Sequence, residues 1–164
     1  MSGAAFTILD FHRMSAIELD TLVSHATTLR CAAEAGTHRA PLHGRNLGLM
    51  SSTTTSDAAE RFHHAATALG AKVSRIEPRL TPWSSSTELR QTARLLGRLY
   101  DGVECQGMAA ALVREMSEHA GVPFFEGIAA HDHPTASLAE RVGGRSAEEN
   151  RRFVVQAILL EALI

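Results

Sequence analysis

Short apolar runs alternate with longer amphipathic stretches along this chain, and that alternation restricts its fold more than any other feature. Strand-like runs occur at residues 47–50, 72–76, 102–105 and 122–125. Helical patterns separate them at 58–69, from Ser86 or Thr87 to Leu99, and at 108–119. An order of strand, helix, strand, helix is typical of a parallel sheet covered on both faces. We therefore predict an α/β, three-layer domain with a four-stranded parallel sheet.

Two further helices are predicted at the ends of the chain. A capping box, Ser15 to Glu18, begins the first helix, and apolar residues then recur at helical spacing up to Ala33. A second capping box, Ser146 to Glu149, begins the last helix, which is apolar on most sides from Phe153 onward. Such a helix is expected to be buried against the domain or in a subunit interface. We expect one unit over 1–164, with a core at 1–140 and a closing helix at 146–164.

Charge and cysteine content exclude several classes of protein. Sixteen Lys and Arg against eighteen Asp and Glu give 164 residues a net charge of −2, which excludes a strongly basic nucleic-acid binder or a polybasic membrane-surface protein. No apolar run reaches the ~18 residues of a membrane span, and the N-terminus does not resemble a signal peptide. Cys31 and Cys105 are too few for a disulfide framework. We expect a cytoplasmic domain without a cofactor.

A run of hydroxyl side chains precedes the second predicted helix. It consists of Ser51, Ser52, Thr53, Thr54, Thr55 and Ser56. Hydroxyls and free N–H groups at a helix N-terminus can bind an anion. The alternative is a helix-capping loop, in which Asp57 itself interacts with the helix dipole and repels phosphate.

The sequence gives less support for a chemical role of the other polar residues. His131 and His133 could ligate a metal from one side of a strand-like segment, but only distant Glu126 and His63 could complete the site. Glu60 and His64 have zinc-binding spacing without a matching second pair, so no metal is predicted. Cys105 is interpreted as a buried structural thiol, since no base is placed to activate it.

Several separate motifs occur in an order known from one protein family. They are residues 92–102, Ala120-Gly121-Val122-Pro123, His133-Pro134-Thr135, the opening Leu9-Asp10-Phe11 and the closing Glu149-Asn150-Arg151. The whole chain resembles the carbamoyl-phosphate-binding domain of the ornithine and aspartate carbamoyltransferases. That resemblance implies the same three-layer fold. Under this resemblance, Trp83 either contacts a neighbouring subunit or fills space within its own loop.

Two departures from the family pattern bear on function. In the family, an amino-acid-binding domain lies between the His-Pro-Thr helix and the last helix, whereas here only residues 140–146 separate them. The phosphate-binding Ser-Thr-Arg-Thr-Arg of the family aligns with Thr55, Ser56, Asp57, Ala58 and Ala59. Gln106, Ala136 and Ser86 replace an arginine, a glutamine and a lysine of the family's site. The resemblance therefore implies that only His133 is retained.

These residues predict a carbamoyltransferase-like protein with a degenerate carbamoyl-phosphate site, acting as a non-catalytic binding or assembly subunit. The predicted ligand-binding residues lie at the carboxyl ends of the strands: Ser52, Thr53, Thr54, Thr55, Ser56, Asp57, Gln106 and His133. One alternative is an enzyme with altered chemistry that uses His133 on another small ligand. Another is a modulatory subunit of a complete carbamoyltransferase. The expected partners are a small anionic ligand and either copies of the chain, in a trimer, or a related chain.

Overall fold

A computed structural model describes residues 11–51, 56–77 and 84–164 of the chain. The strands are β1 (Asn46–Ser51), β2 (Lys72–Ile76), β3 (Gly102–Gln106) and β4 (Phe124–Glu126). The helices are α1 (Ala16–Glu34), α2 (Asp57–Ala68), α3 (Ser86–Leu99), α4 (Ala110–Ala120), α5 (Ala139–Val142) and α6 (Ala147–Leu163). Short 3₁₀ helices occupy Phe11–Arg13 and Pro134–Leu138.

The four strands form one parallel sheet in the order β2-β1-β3-β4. The two central strands are covered on both faces, and β3 is buried along its whole length. Adjacent residues of a central strand therefore lie on opposite faces of the sheet. In β1, Leu49 packs in one hydrophobic core and Met50 packs in the other. The α/β class and the four-stranded parallel sheet predicted from the sequence are confirmed.

Helices cover the sheet on both faces. The larger core joins one face to α1, α2 and α6, and the smaller core joins the other face to α3 and α4. The chain leaves β1 for α2 on the first face and leaves β3 for α4 on the second. The neighbouring strands β1 and β3 thus send their connections in opposite directions, and a crevice opens at their carboxyl ends.

The predicted element boundaries are correct to within a few residues. The first capping box is present, with the Ser15 hydroxyl and the Glu18 carboxylate each accepting the other's backbone N–H. The third helix is capped by Ser85 rather than by Ser86 or Thr87. The fourth strand begins two residues later than predicted, at Phe124. Pro123 has no N–H to donate, so it contributes only its carbonyl, to the N–H of Val103.

The last helix, α6, is buried by other parts of the chain. Residues 153–159 are all buried, and the helix packs against α1, α2 and α5. Ser146 caps the helix by accepting the N–H of Glu149. The buried Asn150 side chain donates to the carbonyls of Ala139, Gly143 and Arg145 at 3.1–3.3 Å, which closes the turn from α5. None of the helices described here is long and apolar enough to cross a membrane.

Gly97 allows α3 to lie directly against the end of α4, so Gly97→Ala should destabilise the fold. A Cβ at this position would lie 2.1 Å from the carbonyl oxygen of Ala120, a backbone atom that cannot rotate away. We expect the free energy of unfolding to fall by about 2 kcal/mol, although alanine favours helix. Urea denaturation measures the change, with Gln91→Ala on the same helix as the control. Equal stability of Gly97→Ala and the native chain would contradict this packing.

Candidate functional site

Gln106, a predicted site residue, lies beside the first residue of the hydroxyl run. Ser51 ends β1 directly opposite Gln106, the last residue of β3. Ser56 caps α2 by accepting the N–H of Ala59 at 3.0 Å, and Asp57 is the exposed first residue of that helix. Ser52, Thr53, Thr54 and Thr55 lie outside the described residues. Within the hydroxyl run, Ser56 therefore caps α2.

Gln106 is the buried last residue of β3, and one of its side-chain atoms has no hydrogen-bond partner among the described residues. Its side chain is buried, and its Nε2 donates to Glu104 Oε2 at 3.4 Å. Its Oε1 has no hydrogen-bond partner among the described residues. A buried acceptor without a partner is costly, so this oxygen favours a ligand that donates a hydrogen bond.

Glu104 lies within β3, two residues before Gln106, and its side chain binds the loop after β4. Its carboxylate is completely buried and accepts the N–H groups of Ile128 at 3.0 Å and Ala129 at 3.1 Å. Burial raises the pKa of Glu104 to about 7, and the backbone donors only partly oppose that rise. The sequence analysis missed this residue. Its signal was a charged side chain in the middle of a strand that is otherwise apolar.

Two arginines attach to the same loop after β4. Arg61 of α2 donates to the carbonyl of Ala129 at 2.5 Å and to Glu148 at 2.7 Å. Arg151 of α6 donates to the carbonyl of Ala130 at 2.6 Å. Side chains from β3, α2 and α6 therefore hold one loop, which leads to His133. Sequence reasoning missed both arginines, because their partners are backbone carbonyls distant in the sequence.

His133 is buried and serves as the cap of the 3₁₀ helix that follows it. Its Nδ1 accepts the backbone N–H of Thr135 at 3.2 Å and lies 2.7 Å from the Thr135 hydroxyl. Its ring packs edge-on against Phe11, with the centroids 4.7 Å apart. Burial and then the positive charge of Arg151 lower the pKa of His133 to about 4. The imidazole is therefore neutral at pH 7, and its proton is on Nε2.

His131 and His133, considered above as an extended pair of metal ligands, lie in different surroundings. His131 and Asp132 are exposed in a turn while His133 is buried, so the expected strand-like pair is absent. The reason is that a 3₁₀ helix, not a strand, begins at Pro134. Among the described residues, no group of three or more His, Cys, Asp or Glu side chains is placed to hold a metal.

The other positions discussed from the sequence lie in a hydrophobic core, in helices or outside the described residues. Cys105 is buried in the smaller core, as predicted, and burial raises the pKa of its thiol. Ser86 is the exposed first residue of α3, and Ala136 lies half-buried in the 3₁₀ helix. Trp83 lies outside the described residues.

The fold is an α/β domain in which the connections change direction between β1 and β3, and this is where ligands of such sheets commonly bind. The profile of the carbamoyl-P binding domain of aspartate/ornithine carbamoyltransferase matches residues 7–142. The chain therefore belongs to this family. The match ends at the last residue of α5, so α6 lies beyond it.

Three relatives illustrate the similarity. The chain is 34% identical to the ornithine carbamoyltransferase of Haemophilus influenzae, over 83% of this chain and 42% of that protein. The ornithine carbamoyltransferase structure from Pyrococcus furiosus superposes with a TM-score of 0.69 at 21% identity, over 82% of this chain and 43% of that one. The catalytic subunit of M. jannaschii aspartate transcarbamoylase gives 0.64 at 19% identity, over 80% and 43%. The chain thus spans about two fifths of the length of these relatives.

The buried Glu104 should make the protein less stable as pH rises from 4.5 to 7. Its pKa is about 7 in the folded protein against an ordinary 4.5, so between these values the folded state holds more protons than the unfolded chain. The contribution of Glu104 to the free energy of unfolding therefore falls with rising pH, by about 3 kcal/mol at most, while the lowered pKa of His133 contributes a rise over part of the same range. Glu104→Gln cannot titrate and should lack this fall.

Urea denaturation of the native chain and Glu104→Gln across that pH range measures the difference between them. The exposed Glu118→Gln serves as the control and should keep the native pH dependence. Parallel pH profiles for the native chain and Glu104→Gln would contradict the raised pKa.

Proposed function

We propose that this carbamoyltransferase-family domain does not use carbamoyl phosphate and instead acts as a non-catalytic binding or assembly subunit. In this proposal residues 1–164 act as one cytoplasmic unit, which α6 closes. Its ligand site is the crevice of Ser52 to Asp57, Gln106 and His133. The crevice would hold a small ligand that differs from carbamoyl phosphate.

The observation that carries the proposal is the electrostatic character of the crevice. Asp57 begins the helix at which an anion would bind, and Gln106 has an acceptor oxygen with no partner in the described part of the chain. Two carboxylate-like charges ~4 Å apart repel each other by about 1–4 kcal/mol, for effective dielectrics between water and a protein surface. The crevice therefore disfavours phosphate.

The nearby arginines are restrained by contacts with the loop after β4. Arg61 donates to the carbonyl of Ala129 and pairs with Glu148, and Arg151 donates to the carbonyl of Ala130, while Arg151 Nη1 has no hydrogen-bond partner among the described residues. An arginine held by such contacts cannot turn toward the crevice without breaking them. In this proposal both arginines therefore support the loop rather than a bound anion.

An enzyme with altered chemistry is the second candidate, and one observation favours it. Because Nδ1 of His133 accepts a hydrogen bond, its neutral ring keeps a donor at Nε2. A neutral donor of this kind can polarise a carbonyl group without a protonated imidazole.

Adding positive charge should restore phosphate binding to the crevice. We expect Asp57→Arg with Gln106→Arg to gain measurable affinity for inorganic phosphate and carbamoyl phosphate, because the α2 N-terminus still supplies N–H donors. Calorimetry compares this double variant with the native chain, and Asp101→Arg with Gln91→Arg supplies a control of equal charge away from the crevice. Citrulline formation should stay at the uncatalysed rate in all three proteins.

Phosphate binding by the native chain as tight as that of the double variant would contradict the electrostatic argument. Citrulline or carbamoylaspartate formed by the native chain above the uncatalysed rate would contradict the proposed lack of catalysis.

Assembly is the second tested part of the proposal. The last helix is expected from the sequence to be buried either against the domain or in a subunit interface. Because α6 is buried within the chain, we place the contact on another surface. Leu95 and Leu99 lie one turn apart on α3 and are 56% and 54% exposed. Paired exposed leucines of this kind are typical of contact surfaces.

We expect light scattering at micromolar concentration to give a homo-oligomer, with a trimer as the expected state, or a complex with a related chain. Leu95→Glu with Leu99→Glu should shift the mass toward that of the monomer, while Ser24→Glu on the opposite face should not. A strictly monomeric native chain, with no partner present, would contradict this part of the proposal.

A further inference from the structure

A second cavity lies away from the crevice, between α1, the segment that follows it, the end of α2 and α6. It has a volume of about 290 Å³. Leu29, Ala33, Leu69 and Phe153 form its apolar wall, and Arg39 and Arg152 supply positive charge. Binding sites for small molecules commonly combine an apolar wall with a few polar groups in this way.

Hydrogen bonds at both ends hold the segment that closes this cavity. The N–H of Thr37 donates to the carbonyl of Ala32 at 2.9 Å, just after α1 turns at Gly36. The N–H of Leu42 donates to the carbonyl of Leu69 at 2.9 Å, and Leu42 itself is fully buried. The cavity is therefore already formed in the unliganded chain.

Arg152 is the polar group that most needs a partner here. Its Nε is buried and has no hydrogen-bond partner among the described residues, and its guanidinium carbon lies 4.8 Å from the centre of the Phe153 ring. Two acidic residues, Glu148 and Glu149, lie about one turn earlier on its own helix. The Glu148 carboxylate is bonded to Arg61 at 2.7 Å, and the Glu149 carboxylate lies 3.8 Å from Arg145. A buried guanidinium N–H without an acceptor favours a carboxylate, which can accept two parallel hydrogen bonds.

The charges on this cavity all have the same sign. Arg39, Arg152 and His38 line it, and no described acidic side chain does. The apolar wall disfavours a doubly charged phosphate, because a dianion loses more hydration than one guanidinium replaces. A single carboxylate with a hydrocarbon tail matches both the charge and the wall.

We propose that this cavity binds a small apolar monocarboxylate. The carboxylate contacts Arg152, with Arg39 at the mouth, and the hydrocarbon tail packs on Leu69 and Phe153. This inference is independent of the function proposed for the crevice, since the two sites share no residue.

Benzoate and hexanoate are suitable probes, with benzyl alcohol and 1-hexanol as uncharged counterparts of similar shape. ¹H–¹⁵N NMR titration should show saturable shifts at the amides of Leu29, Leu69 and Phe153 with at least one of the two acids. The alcohols should bind at least ~10-fold more weakly, because they cannot form the bidentate pair with Arg152.

Two variants test the site by different means. Arg152→Gln should weaken binding of the acid at least ~10-fold, because it removes the charged partner. Ala68→Leu, at an exposed position on the cavity wall, should block the tail without changing any charge. Arg98→Gln on the other face of the sheet is the matched control and should bind as the native chain does.

Three results would overturn the inference. They are the absence of saturable shifts with both acids, alcohols that bind as tightly as the acids, and binding that survives both Arg152→Gln and Ala68→Leu. Because Ala68→Leu alters neither charge nor a buried residue, it remains informative even if Arg152→Gln fails to fold.

Discussion

The hydrogen bonds between the buried Glu104 carboxylate and the loop after β4 support the ligand end of this domain. A carboxylate inside a sheet is stable only if donors surround it, and here the N–H groups of Ile128 and Ala129 do so. With those N–H groups bound, the carbonyls of Ala129 and Ala130 face Arg61 and Arg151. One buried charge in β3 thus connects the sheet to α2 and to α6.

This arrangement restrains the arginines that lie close to the predicted ligand-binding positions. Arg61 and Arg151 are bonded to the loop, and the predicted positions themselves contribute the carboxylate of Asp57 and an oxygen of Gln106 that has no partner among the described residues. The chain belongs to a family named for carbamoyl-phosphate binding, yet these groups favour a hydrogen-bond donor over an anion. Family membership alone therefore does not identify the ligand.

The candidate site could be predicted only in part from the sequence. The positions of Asp57 and Gln106 followed from the order of strands and helices. Gln106 is the last residue of β3 and Asp57 the first of α2, while His133 lies in the loop after β4. The neutral state of His133 could not be predicted, because it depends on burial by Phe11 and on the charge of Arg151. The second cavity could not be predicted either, because its walls come from four separate segments of the chain.

The sequence by itself determined the class of fold, the four parallel strands and the ends of the helices. Those features depend on local patterns. They are apolar periodicity, a capping serine such as Ser15, and a proline such as Pro123, after which strand β4 begins. Only the tertiary structure decided which charges are available to a ligand. Glu104 and Arg61 are far apart in the chain, and their partners are backbone groups of one loop, which no side-chain pattern can indicate. The availability of a charge depends on distance and burial, and both arise only when the separate elements pack together.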